Sequence, residues 1–331
     1  MRKLLACLLP AALLGLPLFV HADDGAASIA EGGIVIMKRE TRITMAKEVL
    51  QISNSKVIVD YEFRNDTDQD VVTVVAFPIA TYTLGLEQVD PDKQGFDDFR
   101  LWIDEKPFKF EIECRAYLKG RDETALLESM KVDVGTFGHA NSDHQYPDVE
   151  RLSVEQRRRL ESSGLLDKED DSPMWEVRKK YYWTQTFPAH SPVRVRHAYS
   201  PVVGALNSIK YGWGASGDAE SAKELGTFCI EGGLKQALDK VVGDKHRNAW
   251  YEYVDFILTT ANTWKTPIED FTLVVQRPHQ KDDLADYVSF CWNGPVTKTD
   301  PDHFVATATN FVPNKELRVG FFHVVNEEDF K

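Results

Sequence analysis

The stretch KVIVDYEFRNDTDQDVVTVVAFP, residues 56–78, decides the fold class of this sequence. It contains two runs of β-prone residues, 57–63 and 71–77, on either side of the polar turn residues 65–70. Apolar and polar side chains alternate in the first run, so one face of the strand packs while the other meets water. This pattern is typical of a strand in an antiparallel β-sandwich. The predicted inward-facing residues are Val57, Val59, Tyr61 and Phe63.

A second hairpin is predicted where residues 101–103 and 108–117 flank the turn residues 104–107. Alternation marks one face of the longer run as apolar. We expect this face to be buried, with Cys114 as a core residue. The residues of this face are Phe108, Phe110, Ile112, Cys114 and Ala116.

Strand patterns return in residues 174–204, where an aromatic run precedes the alternating residues 193–199. These two runs are predicted to form two neighbouring edges of the sandwich. Between them and the second hairpin lies a charged segment, about residues 120–172, that is poor in β-branched residues. Ser153 and Gln156 form a capping-box pattern there, which predicts a short helix ending near Gly164. We expect a helical insertion between strands.

The remainder of the chain is predicted to be mainly β as well. Beyond a boundary near Gly204, a helix is expected over residues 233–242, and the turn around Trp264 separates two strand patterns. Short strands are also predicted at residues 288–292, 304–308 and 317–325. The fold class is therefore mainly β: an antiparallel, β-sandwich-like (immunoglobulin-like) part, residues 23–203, with a β-rich part of one helix, residues 204–331, packed on it.

The first 22 residues have the pattern of a secretory signal peptide. Arg2 and Lys3 precede an apolar stretch that ends in Val20-His21-Ala22, so cleavage is expected after Ala22. A permanent membrane anchor is disfavoured by Pro10, Gly15 and Pro17, and a lipoprotein site at Cys7 would come too early. We expect a mature protein outside the cytoplasm, in the periplasm or at the cell surface, without membrane insertion.

Net charge argues against two classes of partner. The sequence has a formal charge of −13, which becomes −15 when residues 1–22, with two basic and no acidic side chains, are removed. An acidic protein repels nucleic acid and anionic lipid, so neither is an expected partner.

Three cysteines, Cys114, Cys229 and Cys291, follow the predicted signal peptide. In an oxidising compartment an odd number predicts one disulfide and one further thiol. Cys229 and Cys291 each follow a phenylalanine in the same part of the chain, and we expect them to form the disulfide. The alternative, a nucleophilic Cys291 assisted by His303, lacks a local signature.

Other motifs of catalysis or ligand binding are weak. His139, Asp143 and His144, with Asp148 and Glu150 nearby, match neither a closed zinc pattern nor a calcium loop. The glycine-rich residues 211–221 lack the ending of a phosphate loop, and no Gly-x-Ser-x-Gly motif is present. The sequence therefore predicts no catalytic residue, metal or cofactor.

Several stretches resemble a known family in the same order along the chain. They are residues 63–79, 187–204, 256–275, 288–294 and 311–319, and the most specific block is TTANTW, residues 259–264. Together they resemble the bacterial secreted family known as domain of unknown function 4424 over nearly the whole mature chain. The resemblance implies an exported envelope protein and implies no reaction.

The functional hypothesis is a non-enzymatic binding or interaction scaffold that contacts an unknown envelope protein or ligand. Because sandwiches carry function on their loops, the expected contacts are exposed aromatic residues. The candidates are Trp213, Tyr181, Tyr182 and Trp183. The alternative is an extracytoplasmic hydrolase acting on an envelope polymer, and a third possibility is a structural role in an assembly.

Overall fold

The computed structural model describes residues 25–30, 33–36, 39–79, 81–83, 98–135, 137, 147–201, 203–206, 209, 213, 219–279 and 283–328. The predicted signal peptide, its cleavage point and the 139–144 segment lie outside the described residues. Within these ranges no helix is of a length and apolarity that could span a membrane.

Strands dominate the described residues. They are β1 (Gly25–Ala30), β2 (Gly33–Ile36), β3 (Ile43–Ile52), β4 (Val57–Asn65), β5 (Val71–Pro78), β6 (Tyr82–Thr83), β7 (Arg100–Ile103), β8 (Lys106–Pro107), β9 (Glu111–Leu118), β10 (Arg121–Asp122), β11 (Glu176–Phe187), β12 (Pro192–Tyr199), β13 (Gly204–Leu206), β14 (Arg247–Phe256), β15 (Ile268–Gln276), β16 (Ala285–Phe290), β17 (Val296–Lys298), β18 (His303–Phe311) and β19 (Leu317–Asn326).

Helices are short and fewer. They are α1 (Thr124–Ser129), α2 (Pro147–Glu150), α3 (Val154–Ser163), α4 (Ala219–Leu225), α5 (Gly232–Gly243) and the 3₁₀ helices Gly226–Phe228 and Thr259–Thr263.

The strands form three sheets. The first has the order β10-β9-β11-β5-β1-β2, with β6 also paired to β11, and the second has the order β17-β18-β15-β3-β4-β12-β7-β8. These two sheets face each other across one apolar core, where Phe77 and Trp183 of the first contact His197 of the second. The third sheet, β13-β14-β19-β16, is covered on one face by α5 and turns the other toward the sandwich. The mainly β, sandwich-like prediction is confirmed.

The alternation that predicted the sandwich strands is confirmed residue by residue. In β4 every second residue is buried, beginning with Val57, and its neighbour β12 buries Val193, Val195 and His197 while Arg194 and Arg196 face outward. Period-two patterns therefore located the inner and outer faces of the second sheet correctly.

The second hairpin was predicted incorrectly. Lys106–Pro107 pair back onto Trp102 and Ile103 in the second sheet, but the following strand β9 crosses to the first sheet and pairs with β11. Of the expected apolar face, Phe108 and Ile112 are exposed, Ile112 by 53%, whereas Ala116 is buried and Phe110 packs against the core. Cys114 is half-buried and packs against the core. Part of this face is exposed because β9 lies next to the edge of its sheet, beside the two-residue β10.

Strands from both sides of residue 204 share the second sheet. β15 lies parallel to β3 and antiparallel to β18, so this part of the chain completes a sheet that begins near residue 43. Trp264, just before β15, is buried against Phe63 and Phe187 as a structural plug. The chain enters β15 through the Thr259–Thr263 turn, whose last carbonyl accepts a hydrogen bond from Glu40 N.

The helical elements agree with their sequence signals. Ser153 is the N-cap of α3, its side chain and that of Gln156 form a capping box, and Gly164 ends the helix in the left-handed conformation. The predicted helix at residues 233–242 is α5, and α4 is a further helix that its sequence did not reveal.

The Cys229–Cys291 disulfide is present. Cys229 follows the 3₁₀ helix Gly226–Phe228, and Cys291 lies directly after β16 rather than within a strand. The bond closes a sequence separation of 62 residues, which corresponds to about 4 kcal/mol in the chain-entropy account of disulfides.

Candidate functional site

A groove of about 750 Å³ lies on the outer face of the second sheet. Its lining comes from four adjacent strands, β3, β4, β12 and β7, because their outward-facing residues are in register. One row across these strands consists of Val49, Asp60, Arg196 and Trp102. The sheet itself therefore positions these side chains, since alternate residues of every strand point the same way.

Both signs of charge alternate within the groove. A second row places Glu62 opposite both Lys47 and Arg194. With Asp60, Arg196 and Glu105, the lining holds three acidic and three basic side chains. The rest of the lining is aromatic or apolar: Trp102, Tyr61, Val49, Val195 and Ala198. The groove is thus balanced in charge and offers a large aromatic ring.

The ion pairs within the groove are loose. Arg196 Nη1 lies 3.4 Å from Asp60 Oδ1, and Arg194 Nε lies 3.5 Å from Glu62 Oε2. Charge-assisted hydrogen bonds are usually shorter, about 2.7–2.9 Å, and exposed ion pairs contribute little to stability. Burial raises the pKa of Asp60, against the opposing effect of Arg196. A ligand could therefore engage these guanidinium and carboxylate groups at small cost to the fold.

A second cluster of polar side chains lies between the third sheet and the sandwich. Asp286, His323 and Trp250 are opposite one another across β16, β19 and β14. His323 Nδ1 lies 2.7 Å from Asp283 Oδ2 and 2.8 Å from Asp286 Oδ1. The Trp250 ring stacks on the imidazole with 4.1 Å between centroids. The ligand atoms of Asp283, Asp286 and His323 are close enough together to hold a metal ion.

Burial sets the electrostatics of this cluster. His323 is fully buried, and the carboxylates of Asp283 and Asp286 are each 6% exposed. Burial, together with Asp286, raises the pKa of Asp283 to about 6 against the opposing effect of His323. Burial alone would lower the pKa of His323, but Glu252 and Asp283 outweigh it, so this pKa is raised.

A family model described as a domain of unknown function, DUF4424, matches residues 22–319. The chain belongs to this family. The match covers nearly the whole sequence, as the resemblance of its separate motifs implied, and the family description contains no reaction or ligand.

Other comparisons add little to the DUF4424 assignment. No curated protein matches the sequence. A structure from Legionella pneumophila, with the provisional name nutrient binding protein, has 13% identity and a TM-score of 0.39 over 91% of this chain and 71% of its own. An M1 zinc metallopeptidase from Deinococcus radiodurans has 9% identity and a TM-score of 0.29 over 85% of this chain and 43% of its own. At these TM-scores neither likeness carries an argument.

The predicted aromatic contacts of this DUF4424 protein fall in different surroundings. Tyr181 is 1% exposed and Trp183 is 3% exposed, both inside the sandwich core, where a ligand outside the fold would not reach them. Tyr182 lies on the outer face of the first sheet and donates a hydrogen bond to Glu111. Trp213 donates its indole N–H to Asp239. The role of Tyr182 and Trp213 as partner contacts stays a prediction.

Neither the groove nor the buried cluster was predicted from the sequence. Alternation places Asp60, Arg194 and Arg196 outward, but nothing local indicates that the rows of β3, β4, β12 and β7 lie side by side. Asp283 and Asp286 are separated from His323 by 40 and 37 residues, and only the pairing of β16 with β19 brings them together. Of the acidic residues considered as metal ligands, Asp148 instead pairs with Arg151.

Proposed function

We propose that this protein is an exported envelope protein that binds a polar ligand or partner segment in the outer-face groove, without catalysing a reaction. The observation that supports the proposal is the groove of about 750 Å³, with Trp102 beside rows of paired charges. Its volume falls in the range of ligand-binding clefts, about 300–1,000 Å³.

The arrangement of charges favours binding over hydrolysis. A pair of catalytic carboxylates acts from two sides of a scissile bond, with one group as acid and the other as base or nucleophile. In the groove, Asp60 and Glu62 instead each face an arginine on β12. Such alternation of charges suits recognition of a ligand by complementary charges. The alternative proposal is an extracytoplasmic hydrolase.

The same charges define the class of ligand. Arg194 and Arg196 are well exposed and can bind carboxylate or phosphate groups, while Asp60, Glu62 and Glu105 can bind amines. The Trp102 ring provides a flat surface for a sugar ring, an aliphatic chain or a cation. The proposed ligand therefore bears groups of both signs on a polar framework, as peptides and amino-sugar polymers do.

Export is part of the proposal and has two supports. The disulfide is compatible with an oxidising compartment, and residues 1–22 have the composition of a signal peptide. We expect the exported protein to begin at Asp23 and to have both Cys229 and Cys291 oxidised. Intact-mass measurement of the protein from the envelope fraction tests both points. Retention in the cytoplasm with free thiols would contradict export.

Binding can be tested with soluble fragments released from the envelope. The chain and its variants Trp102→Ala and Arg196→Ala are equilibrated with peptide and cell-wall fragments, and bound species are identified by mass spectrometry. Truncating a central aromatic contact costs about 2 kcal/mol or more, so binding should fall at least about 30-fold in Trp102→Ala. Tyr182→Ala is the comparison variant, because that ring, itself a predicted contact, lies on the outer face of the opposite sheet.

Two outcomes would contradict the proposal. If Trp102→Ala and Arg196→Ala bind the same fragments as tightly as the unaltered chain, the groove is not the binding surface. If fragments bind and return cleaved, the protein is a hydrolase rather than a binding protein.

A further inference from the structure

In the buried cluster behind the third sheet, two carboxylates converge on one imidazole nitrogen. Nδ1 of His323 carries at most one hydrogen, yet carboxylate oxygens of Asp283 and Asp286 lie 2.7 and 2.8 Å from it. Both carboxylates therefore point at one atom that can satisfy only one of them well. Three potential ligand atoms converging in this way, nearly out of contact with water, resemble the coordination shell of a cation.

On the far side of the His323 ring, Nε2 faces a carboxylate, as the second ring nitrogen of a metal-bound histidine usually does. Nε2 is buried and makes no hydrogen bond among the described residues, but Glu252 Oε1 lies 3.5 Å from it. Asn54, in the turn between β3 and β4, donates a hydrogen bond to that same oxygen. A ligating histidine typically directs its second N–H at a carboxylate, which fixes the ring and its tautomer. With Nδ1 on a cation, Nε2–H would point at Glu252.

The charges around the cluster also favour a cation. Asp283, Asp286 and Glu252 bring three negative charges, against one positive charge if His323 is protonated. Arg277 Nη1 donates a hydrogen bond to the backbone carbonyl of Asp286, at 3.3 Å, and its Nη2 pairs with Asp302. Buried charges are ordinarily paired or coordinate metals. A divalent cation bound beside a neutral imidazole would leave a smaller net negative charge on the cluster than a protonated His323 alone.

We propose that Asp283, Asp286 and His323 bind one divalent transition cation, with Glu252 as the residue that positions the histidine. The ligand set decides the class of cation. Imidazole suits Zn²⁺ and its first-row neighbours, whereas Mg²⁺ and Ca²⁺ prefer oxygen ligands alone. Bound there, the cation ties residue 283, ahead of β16, to β19. This site is separate from the groove, so the two proposals can fail independently.

Zinc itself is the probe for the test. The purified exported protein is treated with a chelator, and Zn²⁺ affinity is measured by competition with a chromophoric chelator. The unaltered chain should bind one Zn²⁺ tightly, and excess Mg²⁺ should not compete. Asp283→Asn and His323→Gln should weaken binding at least about 100-fold, and Glu252→Gln about 10- to 100-fold, as for partners behind a metal ligand. His190→Gln is the control, because His190 forms an exposed pair with Asp68.

A second measurement needs no variant. Side-chain ¹⁵N spectra of the histidines should show one imidazole bound to Zn²⁺ through Nδ1 after a single equivalent is added. The proposal is overturned if the unaltered chain binds no stoichiometric Zn²⁺. It is also overturned if no imidazole Nδ1 responds, or if a folded Asp283→Asn or Glu252→Gln variant binds as tightly as the unaltered chain.

Discussion

His197 lies among aromatic rings at the centre of the sandwich core. Its ring centroid is 5.0–5.6 Å from those of Phe77, Phe99, Trp183 and Tyr61, and the imidazole is fully buried. Burial lowers the pKa of His197 to about 3. The neutral form is therefore the one compatible with this core, because a charged imidazolium would lose its hydration there.

This lowered pKa predicts a specific loss of stability in acid. The unfolded chain takes up a proton near pH 6.5 and the folded chain only near pH 3, so acid favours unfolding between these values. From about pH 7 to pH 4.5, His197 should account for about 2 to 3 kcal/mol of the fall in unfolding free energy. Urea unfolding of His197→Leu should show a correspondingly smaller fall.

His190→Gln serves as the control for this measurement, since His190 is exposed. Its unfolding free energy should change with pH as in the unaltered chain. If the unfolding free energy of His197→Leu fell in acid as much as that of the unaltered chain, His197 would not be the source of this loss of stability.

At the scale of elements, α3 is a helix whose ends are both specified by its sequence. The Ser153 side chain accepts a hydrogen bond from Gln156 N, and Gln156 Oε1 accepts one from Ser153 N. The Gln156 side chain also donates to Met130 O, which connects the helix to the segment after α1. Leu160 is the residue of α3 that is buried. The cap therefore adds to the contacts that Gln156 and the buried Leu160 make with the rest of the chain.

Removing the cap should have a measurable cost. Ser153→Ala should lower the free energy of unfolding by about 1 kcal/mol, because N3 of the helix loses its acceptor. Ser162→Ala, on the exposed surface of the same helix, should change it by only a few tenths of a kcal/mol. Equal effects of the two substitutions in thermal or urea unfolding would mean that the capping box does not stabilise α3.

Elements differ in how far the sequence could predict them. Strands β4 and β12 followed from alternation, helix α3 from its capping box and helix α5 from the helical spacing of its apolar residues, all of which are properties of nearby residues. The β9 prediction failed because its sequence alternates in the same way whichever sheet it joins. The pairing of β16 with β19 depends on long-range packing, so the Asp283, Asp286 and His323 cluster had no local signal. The groove required four strands in register, which no single strand specifies.

At the scale of the whole molecule, the core does not divide at residue 204. β15 covers the edge of β3, and Trp264 fills the space beside Phe63 and Phe187. A chain ending at residue 203 would expose the edge of β3 and lose the Trp264 side chain that fills this space. The disulfide and the third sheet lie wholly in the later part, yet Val319 and Phe321 belong to the same apolar cluster as Phe63.

This shared core predicts cooperative unfolding. The complete chain should unfold in one transition, with tryptophan fluorescence and circular dichroism changing together. A fragment of residues 23–203 should show no cooperative transition. If the fragment unfolds cooperatively and the complete chain shows two separate transitions, the two parts are independent domains.

The central claim, that the outer-face groove binds the ligand, is tested most directly by site-specific photo-crosslinking in the envelope. A photoreactive phenylalanine analogue replaces Trp102 in one variant and Tyr182 in another, so each face of the sandwich carries one probe. The account predicts a discrete crosslinked species from position 102, absent at position 182, that disappears when Arg196→Ala is added. Crosslinking from position 182 alone, or from position 102 without dependence on Arg196, would contradict it.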